Sequence, residues 1–242
     1  MKRIFSLLVL VTFLNPVVFS QEGDADSMMV YTNKKGKLIR KSGDELYFGF
    51  TPGFANRTLK ENPGLFSAPI GERENETGGW FYSFHIGYRT NLHKHIVLDL
   101  GVEFNRNGEF YETGGDSVYT YKNTYHYIGI PLNLAFQYGD RFKLHVGAGV
   151  VPKMFLSQVT NEERENEFGT TEAIRTKYKD NFNFFNIDAV VSLGFRWNFS
   201  RNVGIYAIPE MRWQLANTYQ KQWPYVHKSY VFGIKAGVSV LF

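Results

Sequence analysis

Eight stretches of the chain alternate apolar residues with small or polar ones: roughly Leu46–Asn56, Gly79–Asn91, Ile96–Arg106, Thr124–Tyr138, Phe142–Gln158, Phe182–Phe199, Val203–Asn217 and Lys228–Phe242. Successive side chains project to opposite faces of a strand, so a period of two predicts eight strands, each with one apolar face. The last stretch shows it cleanly. Tyr230, Phe232, Ile234, Ala236, Val238, Val240 and Phe242 share one face, and Val231, Gly233, Lys235, Gly237, Ser239 and Leu241 share the other. Three connections are short turns: Leu92–His95, Gly139–Arg141 and Ser200–Asn202. The other four, Arg57–Gly78, Asn107–Asn123, Asn161–Asn181 and Thr218–His227, are longer and polar. Strict alternation of long and short connections puts all long loops at one end of an up-and-down sheet. The expected fold is all-β, an eight-stranded antiparallel up-and-down transmembrane β-barrel over 46–242.

A period of two does not say which face meets the outside, and a soluble lipocalin-like barrel would put the apolar face inside. The small face decides. It holds Gly49, Gly53, Gly87, Gly101, Gly129, Gly147, Gly149, Gly194, Gly204, Gly233 and Gly237. On a solvated face these glycines would only weaken the strands. Inside a narrow barrel they leave room for the long charged side chains. Aromatics also gather near strand ends (Trp80, Tyr82, Tyr138, Phe142, Trp197, Phe199, Trp213, Trp223), as interface girdles do. The apolar face is therefore expected outside. The lumen would then hold Asp99, Glu103, Asp188 and Glu210 against Arg89, Lys143, Arg196, Arg212 and Lys235. Buried charges in near balance must pair, which predicts a plugged interior cross-linked by ion pairs.

Composition adds the compartment. Met1–Ser20 opens with Lys2 and Arg3, runs apolar from Ile4 to Leu14 and ends on a small residue, the pattern of a secretory signal peptide. Its apolar run is short for a membrane helix, although a retained anchor is the rival reading. Residues 21–45, with Lys34, Lys35, Lys37, Arg40 and Lys41, lack a period and read as a periplasmic N-terminal extension. The chain has no cysteine, which excludes disulfides, thiolate metal sites and a lipidated Cys. Its net charge of +4 is too small to argue for nucleic acid.

The stretch Tyr125–Leu156 contains Ile130-Pro131-Leu132, then a strand, a Gly-containing turn and the Val146-Gly147-Ala148-Gly149 strand. It resembles the outer-membrane β-barrel domain of Bacteroidetes, the PorT-like group. Ser192-Leu193-Gly194-Phe195 and Ser200-Arg201-Asn202-Val203 agree with a later hairpin of that family, and Gly233–Phe242 with its closing strand. Lys235, Gly237, Val240 and Phe242 are similar to the terminal insertion signal of such barrels, which the barrel-assembly machinery reads. Pro131 inside a strand predicts a bulge or break. The resemblance implies an integral outer-membrane protein with both termini periplasmic, bathed in outer-membrane lipid and lipopolysaccharide. It carries no catalytic motif to transfer. Some members resemble parts of secretion machinery, so a periplasmic or secretion-complex protein partner is a second reading.

Chemistry is thin. His126 with Ser117 or Asp116, and His227 with Ser229, are the pairs a rim-located lipid-modifying hydrolase would need. Either pair occurs readily by chance. His93 and His95 share a tight turn without a third metal ligand in view. The acidic run Asn161–Glu167 reads as a hydrated loop before it reads as a cation site. No catalytic residue, cofactor or metal is expected.

Overall fold

The structure, a computed structural model, describes residues 31–32, 38–39, 44–63, 67–113, 119–165, 170–200 and 202–242. The leader expected over 1–20 lies outside them. The chain divides into residues 1–42 and 43–242. In the first unit β1 (Tyr31–Thr32) pairs antiparallel with β2 (Leu38–Ile39), within a segment whose sequence shows no strand period. The second unit is built of β3 (Glu45–Glu61), β4 (Thr77–Asn91), β5 (Ile96–Glu112), β6 (Tyr119–Gly129), β7 (Leu132–Tyr138), β8 (Phe142–Glu165), β9 (Thr171–Tyr178), β10 (Phe185–Trp197), β11 (Val203–Gln214) and β12 (Tyr225–Leu241).

These form one antiparallel sheet that closes on itself, with β12 paired to β3 and β10 paired to β8. Ten strands make eight walls. The fourth wall is β6 followed by β7, both paired with β5 and β8, and it is interrupted at Ile130-Pro131. Proline has no N–H for the ladder, so the expected break occurs there. The sixth wall is β9 followed by β10, which run back along the single long strand β8. Glu45, assigned from sequence to the N-terminal extension, is instead the first residue of β3.

The facing prediction holds. Phe50, Phe84, Val102, Leu134, Val146, Phe195 and Phe232 point outward at 46–58% exposure. Arg89, Asp99, Glu103, Lys143, Asp188, Arg196, Glu210, Arg212 and Lys235 are all buried. An exposed apolar belt of this extent needs a lipid cover.

Three of the glycines serve a purpose the sequence reading did not assign, whereas a Cβ on Gly129 would meet the Glu103 side chain. Gly87, Gly237 and Gly49 surround the buried rings of Tyr47 and Tyr206 rather than long charged chains. A Cβ on Gly87 would collide with the Tyr47 ring, and one on Gly237 with the Tyr206 hydroxyl. Gly87→Leu should therefore overpack the lumen and cost about 1–3 kcal/mol. A urea titration in detergent, followed by the mobility difference between boiled and unboiled samples, would register it.

The loop expectations need three corrections. Strands run on well past the apolar belt, so much of what reads as hydrated loop is ladder. Asn161 to Glu165 pairs with Thr171 to Arg175 of β9. Phe182 does not start a strand but bridges to Tyr219. Trp223 packs against a buried cluster rather than joining the girdle.

Candidate functional site

The lumen is filled in three tiers. At the end carrying the short turns and both barrel termini, Arg89 from β4 sits 3.4 Å from Glu45 and donates two hydrogen bonds to Asp99, one of them 3.0 Å. Arg196 also pairs with Glu45 and donates to Gln137 Oε1 at 2.9 Å. Gln137 contacts His145 at 3.3 Å, and His145 contacts Ser192 at 3.3 Å. Lys143 is buried opposite Arg196 in the β8–β10 ladder. Phe242, the terminal residue, is held by its N–H to Asp44 O at 3.0 Å, with Val240 and Phe242 exposed to the outside, Gly237 in the ladder to β3 and Lys235 opposite Ile208 on β11.

In the middle tier Arg212 bridges two carboxylates. Its Nη2 lies 2.9 Å from Glu103 and 2.6 Å from Glu210. Lys153 pairs with Asp188 at 2.7 Å and lies 4.4 Å from the centre of the Tyr127 ring. Lys235 departs from the expectation of paired charges. It lies 4.7 Å over the Tyr47 ring and 3.5 Å from its hydroxyl, and no carboxylate is within ion-pairing distance among the described residues. His85 joins this tier through Tyr206 at 2.6 Å.

The outermost tier is a cap. The β3–β4 connection folds a short 3-10 helix, Gly71–Asn75, so that Arg73 reaches Glu76 at 3.0 Å and stacks over Tyr219 and Tyr225. Arg57 pairs with the same Glu76 and donates to the Arg73 carbonyl at 2.6 Å. Tyr121 donates to Glu76 at 2.5 Å. Glu109 accepts from Tyr125 at 2.6 Å and Asn123 at 3.2 Å, and it lies 3.6 Å from Arg73. Beneath it Tyr125, Tyr127, Phe155, Phe182 and Tyr219 form an aromatic cluster, with Phe155 and Phe182 stacked at 4.4 Å. Burial works against the Arg73 charge, but the Glu76 carboxylate that accepts its hydrogen bond holds its proton affinity above the ordinary arginine value. Burial likewise pushes the Tyr219 hydroxyl above the ordinary tyrosine range, so it stays neutral. A groove of about 440 Å³ opens beside this cap, lined by Arg57, Ile70, Glu74, Glu76 and Tyr230 among others.

The chemistry-bearing pairs fare differently. Ser117 and Asp116 lie outside the described residues. His126 itself faces outward, stacked on Phe104 at 5.7 Å. His227 does not engage Ser229, which accepts from Asn107 at 3.0 Å. Its ring contacts Thr218 at 2.8 Å and Glu109 at 3.4 Å. That order of hydroxyl, imidazole and carboxylate looks catalytic, yet Thr218 is 0% exposed and His227 and Glu109 are each 1% exposed. A nucleophile needs substrate access, so the trio reads as packing within the cap. His95 is occupied by the Gln137 carbonyl at 3.1 Å and by Phe136 and Tyr138.

A protein-family model for an outer membrane protein beta-barrel domain matches residues 19–210. The chain belongs to that family. It is accordingly an integral barrel of the bacterial outer membrane, and the apolar belt is its lipid-facing surface. No curated protein matches the sequence. Several solved outer-membrane proteins align with most of the chain. Neisserial surface protein A is 12% identical over 83% of this chain and 98% of that one, with a TM-score of 0.40. The outer membrane protease OmpT from Escherichia coli is 13% identical over 84% and 97%, at 0.44. The outer membrane protein OprG from Pseudomonas aeruginosa is 13% identical over 84% and 97%, at 0.41.

The sequence reading of this barrel missed several lumen residues. Lys153 continues the inward series Lys143, His145, Gly147, Gly149, Val151, and Glu109 continues the series from Glu103, so carrying the period further would have found both. Glu76 and Arg73 sit in a connection with no period, and nothing local marks them.

Proposed function

We propose that this protein is a non-enzymatic outer-membrane barrel with a sealed lumen, acting structurally or through its outer loops. It would be cut near Ser20 and hold both termini in the periplasm. The observation that carries this reading is that buried carboxylates cross-link the walls in every tier. Glu45 on β3 joins Arg89 and Arg196, Glu103 on β5 joins Arg212 on β11, and Glu76 joins Arg57 and Tyr121 at the outer mouth. Each of these three carboxylates is desolvated and satisfied by donors, which leaves none of them free to attract a permeant cation. Reconstituted into a planar bilayer, the full protein should give no unitary conductance of nanosiemens size. Steady openings of that size would overturn a sealed lumen.

A second reading follows from Ile130-Pro131-Leu132 and the closing strand, the points of likeness to the PorT-like group. It makes the protein a component of a secretion or envelope-assembly complex, reached through the basic segment from Lys34 to Lys41. Crosslinking in intact cells, then purification in mild detergent, should recover one periplasmic or membrane partner in fixed stoichiometry. Recovery of the barrel alone would refute this second reading.

A further inference from the structure

We propose that the outer surface of β5, β6 and β9 carries a binding site for the phosphate groups of the glycolipid in the surrounding leaflet. Arg106 and His126 stand directly opposite each other in the β5–β6 ladder, and both point away from the lumen. Arg175 and Lys177 come from β9. Lys177 stands opposite Val159 of β8, which in turn stands opposite Thr124, one outward position beyond His126 on β6.

Three observations point to an anion outside the chain. First, among the described residues none of these three cations forms an ion pair, whereas Arg57, Arg73, Arg89, Lys153, Arg196 and Arg212 inside the barrel all do. Like charges gathered without ion pairs repel, and an external anion reverses the sign of that interaction. Second, Arg106 is held in place but not satisfied. Its guanidinium lies 5.5 Å from the Tyr82 ring centre and 5.1 Å from that of Phe104, and its enclosed Nε has no hydrogen-bond partner. A guanidinium fixed against aromatic faces retains a planar fork suited to phosphate oxygens. Third, the height fits a lipid headgroup. The outward apolar series of β5 runs from Ile96 to Phe104, about the 9–11 residues with which a tilted strand crosses the hydrocarbon. Arg106 is the next outward position, level with Tyr82 of the aromatic girdle. Glu163, the nearest acid on this face of β8, sits opposite Thr120 and Ala173, one outward position beyond the Asn161–Arg175 pair and further out than Lys177 and His126.

Two features place these groups on one patch. The fourth wall shifts register between His126 and Tyr127, where Leu156 of β8 is the extra residue. Such a bulge re-aims side chains and increases local twist. Beyond it, β9 pairs only with β8, which brings Lys177 opposite Val159 and Arg175 opposite Asn161.

The test uses the full-length protein in an uncharged detergent. Diphosphorylated lipid A, the same lipid stripped of its phosphates, or inorganic phosphate is added, and lipid retention is read by native mass spectrometry beside the heat-unfolding midpoint. The expected result is retention of the diphosphorylated lipid with a raised midpoint, and neither effect from the other two. The variant R106Q/R175Q/K177Q should bind it roughly tenfold or more weakly. A control variant, K60Q/K228Q, alters outward cations on β3 and β12 and should bind as the parent does. R175Q/K177Q changes only exposed side chains and keeps the test valid if loss of Arg106 impairs folding; it should still weaken binding several-fold. Equal retention of the dephosphorylated lipid, an equal midpoint shift with inorganic phosphate, or full binding by the triple variant would each overturn the proposal.

Discussion

Arg212→Met is expected to destabilise the folded barrel by about 3–5 kcal/mol, because it strands two carboxylates at once. Glu103 and Glu210 are 2% and 4% exposed, and Arg212 is the cation paired with both. Asn105 would remain on Glu103 at 3.3 Å, but a neutral amide does not balance a buried charge. The loss should appear as a lower urea midpoint in detergent, with the boiled and unboiled bands converging at lower denaturant. The triple variant E103Q/R212M/E210Q removes the charges with their partner and should recover most of the loss, since exchanging a whole buried ion cluster for neutral groups is often close to neutral. A single variant as stable as the parent would mean that water reaches this tier, and the sealed lumen would fall with it.

Leu134→Arg is expected to cost about 2–4 kcal/mol, the penalty for a cation on the lipid face near the middle of the bilayer. Leu134 is 54% exposed on β7, opposite Leu98 on β5 and Ala148 on β8. In a soluble barrel an exposed leucine tolerates arginine with little effect. The sign of the result therefore separates lipid from water as the outer solvent. The comparison variant is Asn133→Arg, one residue away and facing the lumen near Asp99. It tests packing instead, and its defect should not depend on bilayer thickness. Refolding both into vesicles of increasing acyl length and following the folded band would measure the difference. A Leu134→Arg protein that folds as well as the parent at every thickness would contradict the lipid-facing assignment.

Sequence alone determined the walls of this protein and their facing. A strand repeats every two residues whatever surrounds it, so apolar series such as Ile96 to Phe104 and Tyr230 to Phe242 fixed which side chains share a face. The inward glycines, too numerous for a solvated surface, fixed which face is the lumen. Short turns at Leu92–His95 and Gly139–Arg141 fixed the alternating ends, and the proline at 131 fixed the break in the fourth wall. All nine charged residues assigned to the lumen are buried.

What only the tertiary structure decided is which of them meet. Glu103 and Arg212 are 109 residues apart, and Lys235 and Tyr47 are 188 apart. Such pairings depend on how far each ladder is staggered around the ring, and local alternation is silent about stagger. This is why Lys235 settles on an aromatic ring instead of a carboxylate, and why Glu45 enters the barrel beside Arg89 and Arg196. The cap was hidden for a different reason. Glu76, Arg73, Phe182 and Trp223 sit in connections without periodicity, and their positions follow from closing the mouth over buried carboxylates that must find donors. The outward cations of β9 were equally invisible, since Arg175 and Lys177 read as loop until β9 paired with β8 and set them opposite Asn161 and Val159.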